Sequence, residues 1–378
     1  MNSDAVKEQL LTSHRTENGG DPFLTVAVPH YKHRRYLEAS LASIFEQTFE
    51  DFEIVISDDC SPDDSNTVIP LLLQQSGRQF RYYEQTRNLG YDGNVRFCLS
   101  AAQGRYVFLL GNDDALCEPE TLEKLAAMLR QLELPEVAFT NYKDWMTGET
   151  VERASRTQLL GAGAEAAIRH FRAFSFVSGL IFDRKQASLH ETDRWDRSIY
   201  YQIYLASRIA ASDGRIAAIN ICTVRKDVRI DGNPVPSYAT KWANAAWSFQ
   251  SRHTGLDSVI RVTADAVLPS VSQNERSRAL RRIVTQILTV TYPHWLFEYR
   301  RIANWSFAVG VARSLWPGTL LAEHHSLKAT DRGFLYMLYF IVSFVGLTFP
   351  SSLFARLRSR LAMFVRHRLQ SRAIVEQH

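Results

Sequence analysis

Apolar and polar positions along the first third of the chain fall into blocks of two alternating periods. Phe23 to Pro29 (FLTVAVP) is a short, β-branched apolar run bounded by proline at each end, the pattern of a strand buried on both faces. Leu37, Leu41 and Ile44 then recur at helical spacing, and Phe52 to Ile56 returns to an apolar run interrupted only by Glu53. The alternation goes on. Strands are predicted at Phe80 to Tyr83, Tyr106 to Leu110 and Val137 to Thr140, with helices over Asn94 to Ala102 and from about Pro119, where Leu122, Leu125, Leu129 and Leu132 share a face. Strand and helix in strict turn predict an α/β domain on an open, mostly parallel sheet.

Beyond Tyr142 the pattern weakens to a strand at Phe176 to Phe182, a helix at Ile199 to Ala211, and a helical composition from about Ala239 to Leu288. The expected organisation is a lead at 1–21, an α/β domain at 22–235 with halves 22–135 and 136–235, a helical region at 236–330, and a tail at 331–378. In that tail Gly333 to Phe349 holds no charged residue, and Phe354 to Arg372 carries six Arg. A spanning helix needs about 20 apolar residues, so the run is borderline for crossing and ample for lying in an interface. Its basic sequel favours an anionic leaflet. The other reading is a buried core helix followed by a solvated basic one.

At 378 residues and 46% hydrophobic content the chain can bury a sizeable core, and a net charge of +4 gives no reason to expect a nucleic-acid partner. Cys60, Cys98, Cys117 and Cys222 lie far apart without metal-ligand spacing, so neither a zinc site nor a disulfide framework is expected and a reducing, cytosolic setting fits. Met1 to Gly20 has no apolar core of the secretory kind. It is expected to be a mobile lead.

Ligands of open parallel sheets bind outside the carboxyl ends of the strands. Three predicted strands end there in polar clusters: Pro29-His30-Tyr31, Ser57-Asp58-Asp59 and Gly111-Asn112-Asp113-Asp114. Two adjacent carboxylates straight after a buried strand are hard oxygen donors for Mg²⁺ or Mn²⁺, or else a turn that caps the next helix. A carboxylate at Asp58 or Asp59 has two uses as well, accepting from a base or ribose, or shaping a turn. Tyr31 is placed to stack on a base or to pack its own loop.

The order FLTVAVPHY, then SIFEQTFEDFEIVISDDCSPDDS, then RNLGYDGNVRFCLSAAQGRYVFLLGNDD resembles the nucleotide-binding half of the family 2 glycosyltransferases of GT-A fold. The likeness covers about Phe23 to Leu132. It implies a nucleotide-sugar donor, a glycan or lipid-linked acceptor such as an O-antigen intermediate at the cytoplasmic face of the inner membrane, and a divalent cation, Mn²⁺ or Mg²⁺. Carried over by residue, it places Asp59 on the nucleobase, with Pro29, His30, Tyr31 and Asp58 around it. Asn112-Asp113-Asp114 stands where the family has Asp-x-Asp, so Asp114 is the main metal ligand, Asn112 is a weaker one and Asp113 lies beside the donor. Arg87, Asn88 and Gly90 fall in a loop near the donor.

The resemblance also implies inverting transfer, which needs a base for the acceptor hydroxyl. Many members supply it from a Glu-Asp pair at a helix start. Here that helix reads Ser198-Ile199-Tyr200-Tyr201-Gln202, and the nearest acids are Glu191, Asp193 and Asp196. Asp196, next to the helix start, is the candidate base or a helix cap. In this departure the chain is similar to abequosyltransferase-like enzymes of O-antigen assembly. Arg225, Lys226 and Arg229 sit where the family has a basic segment over the diphosphate, or form a solvated strand edge. Two other functions stay open: a non-catalytic nucleotide-sugar-binding module, and a sugar nucleotidyltransferase, which the lack of a Gly-rich, Lys-bearing phosphate loop disfavours.

Overall fold

The computed structural model describes residues 6–12, 20–233, 255–302, 305–324, 326–350 and 353. By its internal contacts the chain divides into two compact units, one of Met1–Thr240 with Ser258–Ala279, the other of Lys241–Asp257 with Leu280–His378. Of the tail expected at 331–378, residues 351, 352 and 354–378 lie outside the described residues, as does 239–254 of the expected helical stretch.

The first unit is built on a mixed sheet of β1 (Val6–Thr12), β2 (Leu24–His30), β3 (Phe52–Asp58), β4 (Phe80–Gln85), β5 (Tyr106–Leu109), β6 (Ala115–Leu116), β7 (Val137–Asp144), β8 (Thr150–Val151), β9 (Gln158–Gly161), β10 (Leu180–Asp183) and β11 (Ile216–Lys226). In space the strands run β1-β4-β3-β2-β5-β10-β7-β11-β6, with β8 on β7 and β9 on β11. The block β4, β3, β2, β5 is parallel, as the alternation predicts. Its helices are α1 (Arg34–Phe45), α2 (Ser65–Gln75), α3 (Gly90–Ala101) and α4 (Thr121–Gln131). Leu37, Leu41 and Ile44 of α1, and Leu122, Leu125 and Leu129 of α4, are fully buried against strand residues such as Val26, Ile54 and Phe108. The predicted helical faces are the faces that pack.

Two local expectations change. Val6–Thr12, within the expected irregular lead, is a strand antiparallel to β4; an edge strand needs pairing on one side only, so a mixed polar and apolar sequence suffices. The strand expected from Phe176 starts at Leu180. Gly179 explains the delay: it takes φ +77°, and a Cβ there would stand 2.5 Å from Thr140 Oγ1. β10 then runs antiparallel between β5 and β7, which makes the sheet mixed.

The strand order turns round at β2, with β3 on one side and β5 on the other. This reversal opens a crevice at the carboxyl ends of β2 and β5, the usual ligand position in such sheets. The unit is completed by α5 (Gly163–His170), α6 (Arg184–Leu189) and α7 (Tyr201–Ala211). The second unit contains helices Tyr292–Ile302, Trp305–Ser314 and Ala329–Thr348.

Folding also joins two cysteines that the sequence keeps far apart. Cys117 follows β6, its amide donates to Thr223 on β11, and its Sγ lies 3.1 Å from Cys222 Sγ. Both are free thiols. The hydrogen bond from Cys117 draws the Cys222 thiol down to about 7, so a thiolate is available near neutral pH. Mild oxidation with diamide should therefore join Cys117 to Cys222 before any pair involving buried Cys98, as read by mass spectrometry of unreduced peptides. Recovery of both as unlinked thiols would contradict the juxtaposition.

Candidate active site

At the switch point the first and third polar clusters meet. His30, at the end of β2, is fully buried. Its Nδ1 accepts from Asn112 Nδ2 at 2.9 Å and its Nε2–H donates to Ser65 Oγ at 2.9 Å, while the Ser65 hydroxyl donates to Asp63. This chain requires a neutral imidazole. Burial enforces it by lowering the His30 pKa to about 4. Asn112 Nδ2 also donates to Lys32 O at 3.3 Å, so its amide nitrogen is committed and only the amide oxygen could ligate a cation. The loop beyond is strained, with Lys32 at φ +61° and His33 at φ +65°. Tyr31 is exposed on its rim, with Lys32 Nζ 4.7 Å from its ring centre.

The second cluster splits by role. Asp58 is fully buried and accepts from Tyr82 Oη at 2.7 Å and from the Ser61 amide at 3.0 Å, which ties β3 to β4 and to its own turn. Asp59 reaches across to α3, where Oδ1 accepts from the Leu89 amide at 2.5 Å and Oδ2 from the Gly90 amide at 3.0 Å. These bonds stabilise the first turn of α3, with Gly90 at φ +76°. They explain why α3 starts four residues before its apolar periodicity does. Burial outweighs the two amides and raises the Asp59 carboxyl to about 6. Asn88 donates to Asp59 O at 3.1 Å, and Arg87 is exposed.

The carboxylates after β5 are stitched to two distant segments. Asp114 is buried; Oδ2 accepts from Ser178 Oγ at 2.5 Å and Oδ1 from the Asp227 amide at 2.9 Å. The Val228 amide donates to Asp113 O at 2.7 Å. Asp227 has φ +63°, its Oδ2 pairs with Lys226 Nζ, and its Oδ1 is buried without a hydrogen-bond partner. The predicted metal and diphosphate segments thus lie against each other. Within the basic segment the roles diverge, because successive strand residues face opposite ways. Lys226 stands beside the carboxylates, whereas Arg225 donates to Cys117 O at 3.0 Å and lies over the Trp145 ring. Arg229 donates to Gly232 O at 3.0 Å.

Burial, and then the charge of Asp113, raise the Asp114 carboxyl well above its ordinary range. Burial disfavours the bare carboxylate, a cost that a bound cation would offset. Gly111 supplies the space: a Cβ there would stand 3.1 Å from Asp113 Oδ1, 3.2 Å from Asp114 Oδ2 and 3.3 Å from Ser178 Oγ. The oxygens around this gap suit a hard cation. Among the described residues no three His, Cys, Asp or Glu side chains form a closed cage. An ion held by one or two carboxylates and completed by phosphate oxygens fits that donor set.

The candidate base Asp196 is clamped by Arg96 of α3, whose Nη2 lies 2.7 Å from Oδ2 and Nε 3.3 Å from Oδ1, while Glu191 shares the same guanidinium. The cap of α7 comes from elsewhere. Asp92 of α3, fully buried, accepts from the Ile199 amide at 2.6 Å and the Tyr201 amide at 3.0 Å. Sequence reading missed Asp92, Ser178 and Asp227 because their partners are remote in the chain. It also missed Arg153, which bonds to Thr140 O and to the carbonyls of Phe176 and Ser178. No local motif announces such contacts. A separate cavity of about 330 Å³, lined by Asp21, Arg105 and Arg184 among others, lies away at the amino ends of β2 and β5.

Residues 25–178 match a family model described as glycosyl transferase family 2. A Campylobacter jejuni protein named GalNAc(5)-diNAcBac-PP-undecaprenol beta-1,3-glucosyltransferase is 37% identical over 95 residues, 25% of this chain and 31% of that one. An uncharacterized glycosyltransferase of Nostoc sp. is 31% identical over 134 residues, 35% of this chain and 40% of that one. The match thus spans less than half the length of either relative. Among solved structures, S. aureus TarS 1-349 in complex with UDP-GlcNAc aligns at a TM-score of 0.59 and 14% identity, over 86% of this chain and 89% of that chain. At that identity the likeness is one of fold. With the parallel block, the crevice at its switch point and the family match in agreement, the chain carries a glycosyl transferase family 2 domain over residues 25–178.

Proposed function

We propose that the chain is a glycosyltransferase that moves a single hexosyl or deoxyhexosyl group from a nucleotide-sugar donor to a hydroxyl of a lipid-linked glycan at the cytoplasmic face of the membrane, with inversion and with Mn²⁺ or Mg²⁺. The observation that carries this reading is the meeting of Asn112-Asp113-Asp114 with Lys226-Asp227 over the gap at Gly111. The fold shared with a protein solved with UDP-GlcNAc supports the donor class, and a relative whose name specifies an undecaprenol-linked acceptor supports the acceptor class.

Asp114 and Asp113, with the amide oxygen of Asn112, would hold the cation, which when bound would offset the charge of the donor diphosphate. Lys226 and Arg229 meet the phosphate charge as it grows on the leaving group. Asp59 accepts from the base, alongside the Leu89 and Gly90 amides, and Tyr31 offers a stacking face at the rim. Asp196 takes the acceptor proton once Arg96 releases it. That clamp also favours a second reading, a binding module without turnover.

Turnover of a nucleotide-sugar panel with lipid-linked acceptors tests both. Chelation by EDTA, or Asp114→Ala, should lower the rate roughly 100-fold or more. Asp196→Asn should lower it to a similar degree with donor binding unchanged. Rates indifferent to EDTA and Asp114→Ala contradict the metal-assisted reading, and donor binding with no turnover of any acceptor favours the module.

Donor affinity should also depend on pH through Asp59. Its folded pKa of about 6 lies above the ordinary value, so the accepting carboxylate is formed above about pH 6 and lost below it. Titration calorimetry from about pH 7 to about pH 5 should show affinity falling roughly tenfold. Asp59→Asn should bind weakly and without that slope; a wild-type affinity flat over the range contradicts the role.

A further inference from the structure

Among the described residues one helix, Ala329–Thr348, is long and apolar enough to cross a membrane. It is not free on all sides. Leu335, Tyr339, Ser343 and Gly346 form a buried stripe. Tyr292 Oη is hydrogen-bonded to Ser343 Oγ at 2.7 Å, and the Tyr292 and Tyr339 rings stack at 6.1 Å. Arg300 donates to Gly346 O at 2.8 Å and Phe349 O at 2.7 Å, and Tyr339 Oη to Ala312 O at 2.8 Å. The approach is close, since a Cβ on Gly346 would stand 2.3 Å from Leu296 Cδ1. In its first turn Asp331 pairs with Arg281 at 3.1 Å.

The opposite face is bare. Phe334, Met337, Phe340, Ile341, Phe344 and Val345 are all exposed, by 38% to 69%. Their spacing follows the helical period over the charge-free run. Trp316 packs edge-on against Phe340, and Trp305, itself exposed, donates Nε1–H to Leu347 O. Exposed tryptophans beside an apolar surface suit the boundary between hydrocarbon and water. In sequence the helix leads directly into Phe354 to Arg372 with its six Arg, which complements an anionic surface.

We infer that Ala329–Thr348 lies in the plane of an anionic bilayer, inserting the Phe334–Met337–Ile341–Phe344 face while its other face stays on the helices of its own unit, and that it does not span. A spanning helix would have to break the contacts that run along its whole length, from Asp331 with Arg281 through Tyr339 and Ser343 to Gly346 with Arg300, or draw the attached helices and their charges into the bilayer. In-plane insertion keeps every one of these contacts and buries only the bare apolar face. The inference takes its partner from the membrane-bound reading above but involves no sugar chemistry.

The full chain, without donor, should co-sediment with phosphatidylcholine vesicles containing phosphatidylglycerol and at least about tenfold less with phosphatidylcholine alone. Phe340→Glu and, separately, Phe344→Glu should each weaken binding at least about tenfold at unchanged Tm, and Met337→Lys provides a third probe of the same face should either fail to fold. In a background of Cys60→Ser, Cys117→Ser and Cys222→Ser, which leaves only buried Cys98, Gly333→Cys and Thr348→Cys should both react with impermeant maleimide added outside the vesicles. Protection of one end marks a spanning helix and overturns the inference. So does undiminished vesicle binding by all folded variants, or a lipid-free dimer that Phe344→Glu dissociates, which would assign the face to a second copy. Loss of turnover with vesicle binding intact, or the converse, shows which of the two readings has failed.

Discussion

The fold of the candidate site depends on the burial of one carboxylate. Asp114 is taken out of water at the end of β5, beside Asp113, and its two oxygens are met by a hydroxyl from Ser178 and an amide from Asp227. A buried carboxylate left without such partners is costly, and losing one partner from a buried polar group costs roughly 1–3 kcal/mol or more. Asp114 therefore holds three segments of the chain in register, the turn after β5, the loop before β10 and the end of β11. Those bonds do not offset its burial, which with the charge of Asp113 holds its pKa well above the ordinary range. The arrangement that organises the backbone is thus the one that, in the proposed function, would hold the cation.

The surrounding structure serves the same constraint. His30, neutral and buried, fixes Asn112 against the end of β2, so the turn after β5 is held from the other side as well. Arg153 collects the carbonyls of Phe176 and Ser178, keeping the loop that presents the Ser178 hydroxyl in place. Burial lowers its guanidinium to about 10, and it remains a cation at neutral pH facing the acidic cluster. Asp92 fixes the start of α7 from α3, the helix whose own start rests on Asp59. Asp59 and Asp196 are therefore linked through α3, with Asp59 at its first turn and Arg96 holding Asp196 further along.

The parallel block and its rim were legible in sequence because they rest on local signals. Short β-branched runs such as Phe52 to Ile56, closed by turn formers, read as strands, and Leu122, Leu125 and Leu129 share a face in a helix. The carboxyl rim followed from topology, whereas the roles expected of Asp59 and Asp114 on it came from the family resemblance. What escaped was set by long-range pairing. Ser178 and Asp227 lie 64 and 113 residues from Asp114, and nothing in their own neighbourhoods marks them. The antiparallel insertion of β10 depends on Gly179 fitting against Thr140, a contact between segments with no shared motif. Arg225 and Lys226 looked equivalent in sequence, and strand geometry gives them opposite faces.

The central claim is that the gap over Gly111, between Asp113, Asp114 and Ser178, is where a divalent cation and the donor diphosphate meet. Crystals soaked with Mn²⁺ and a nucleoside diphosphate, measured at the manganese absorption edge, test it most directly. The account predicts an anomalous peak bounded by Asp113 and Asp114, lost in Asp114→Ala. A peak elsewhere, or diphosphate bound at the switch point with no cation against these carboxylates, would contradict it.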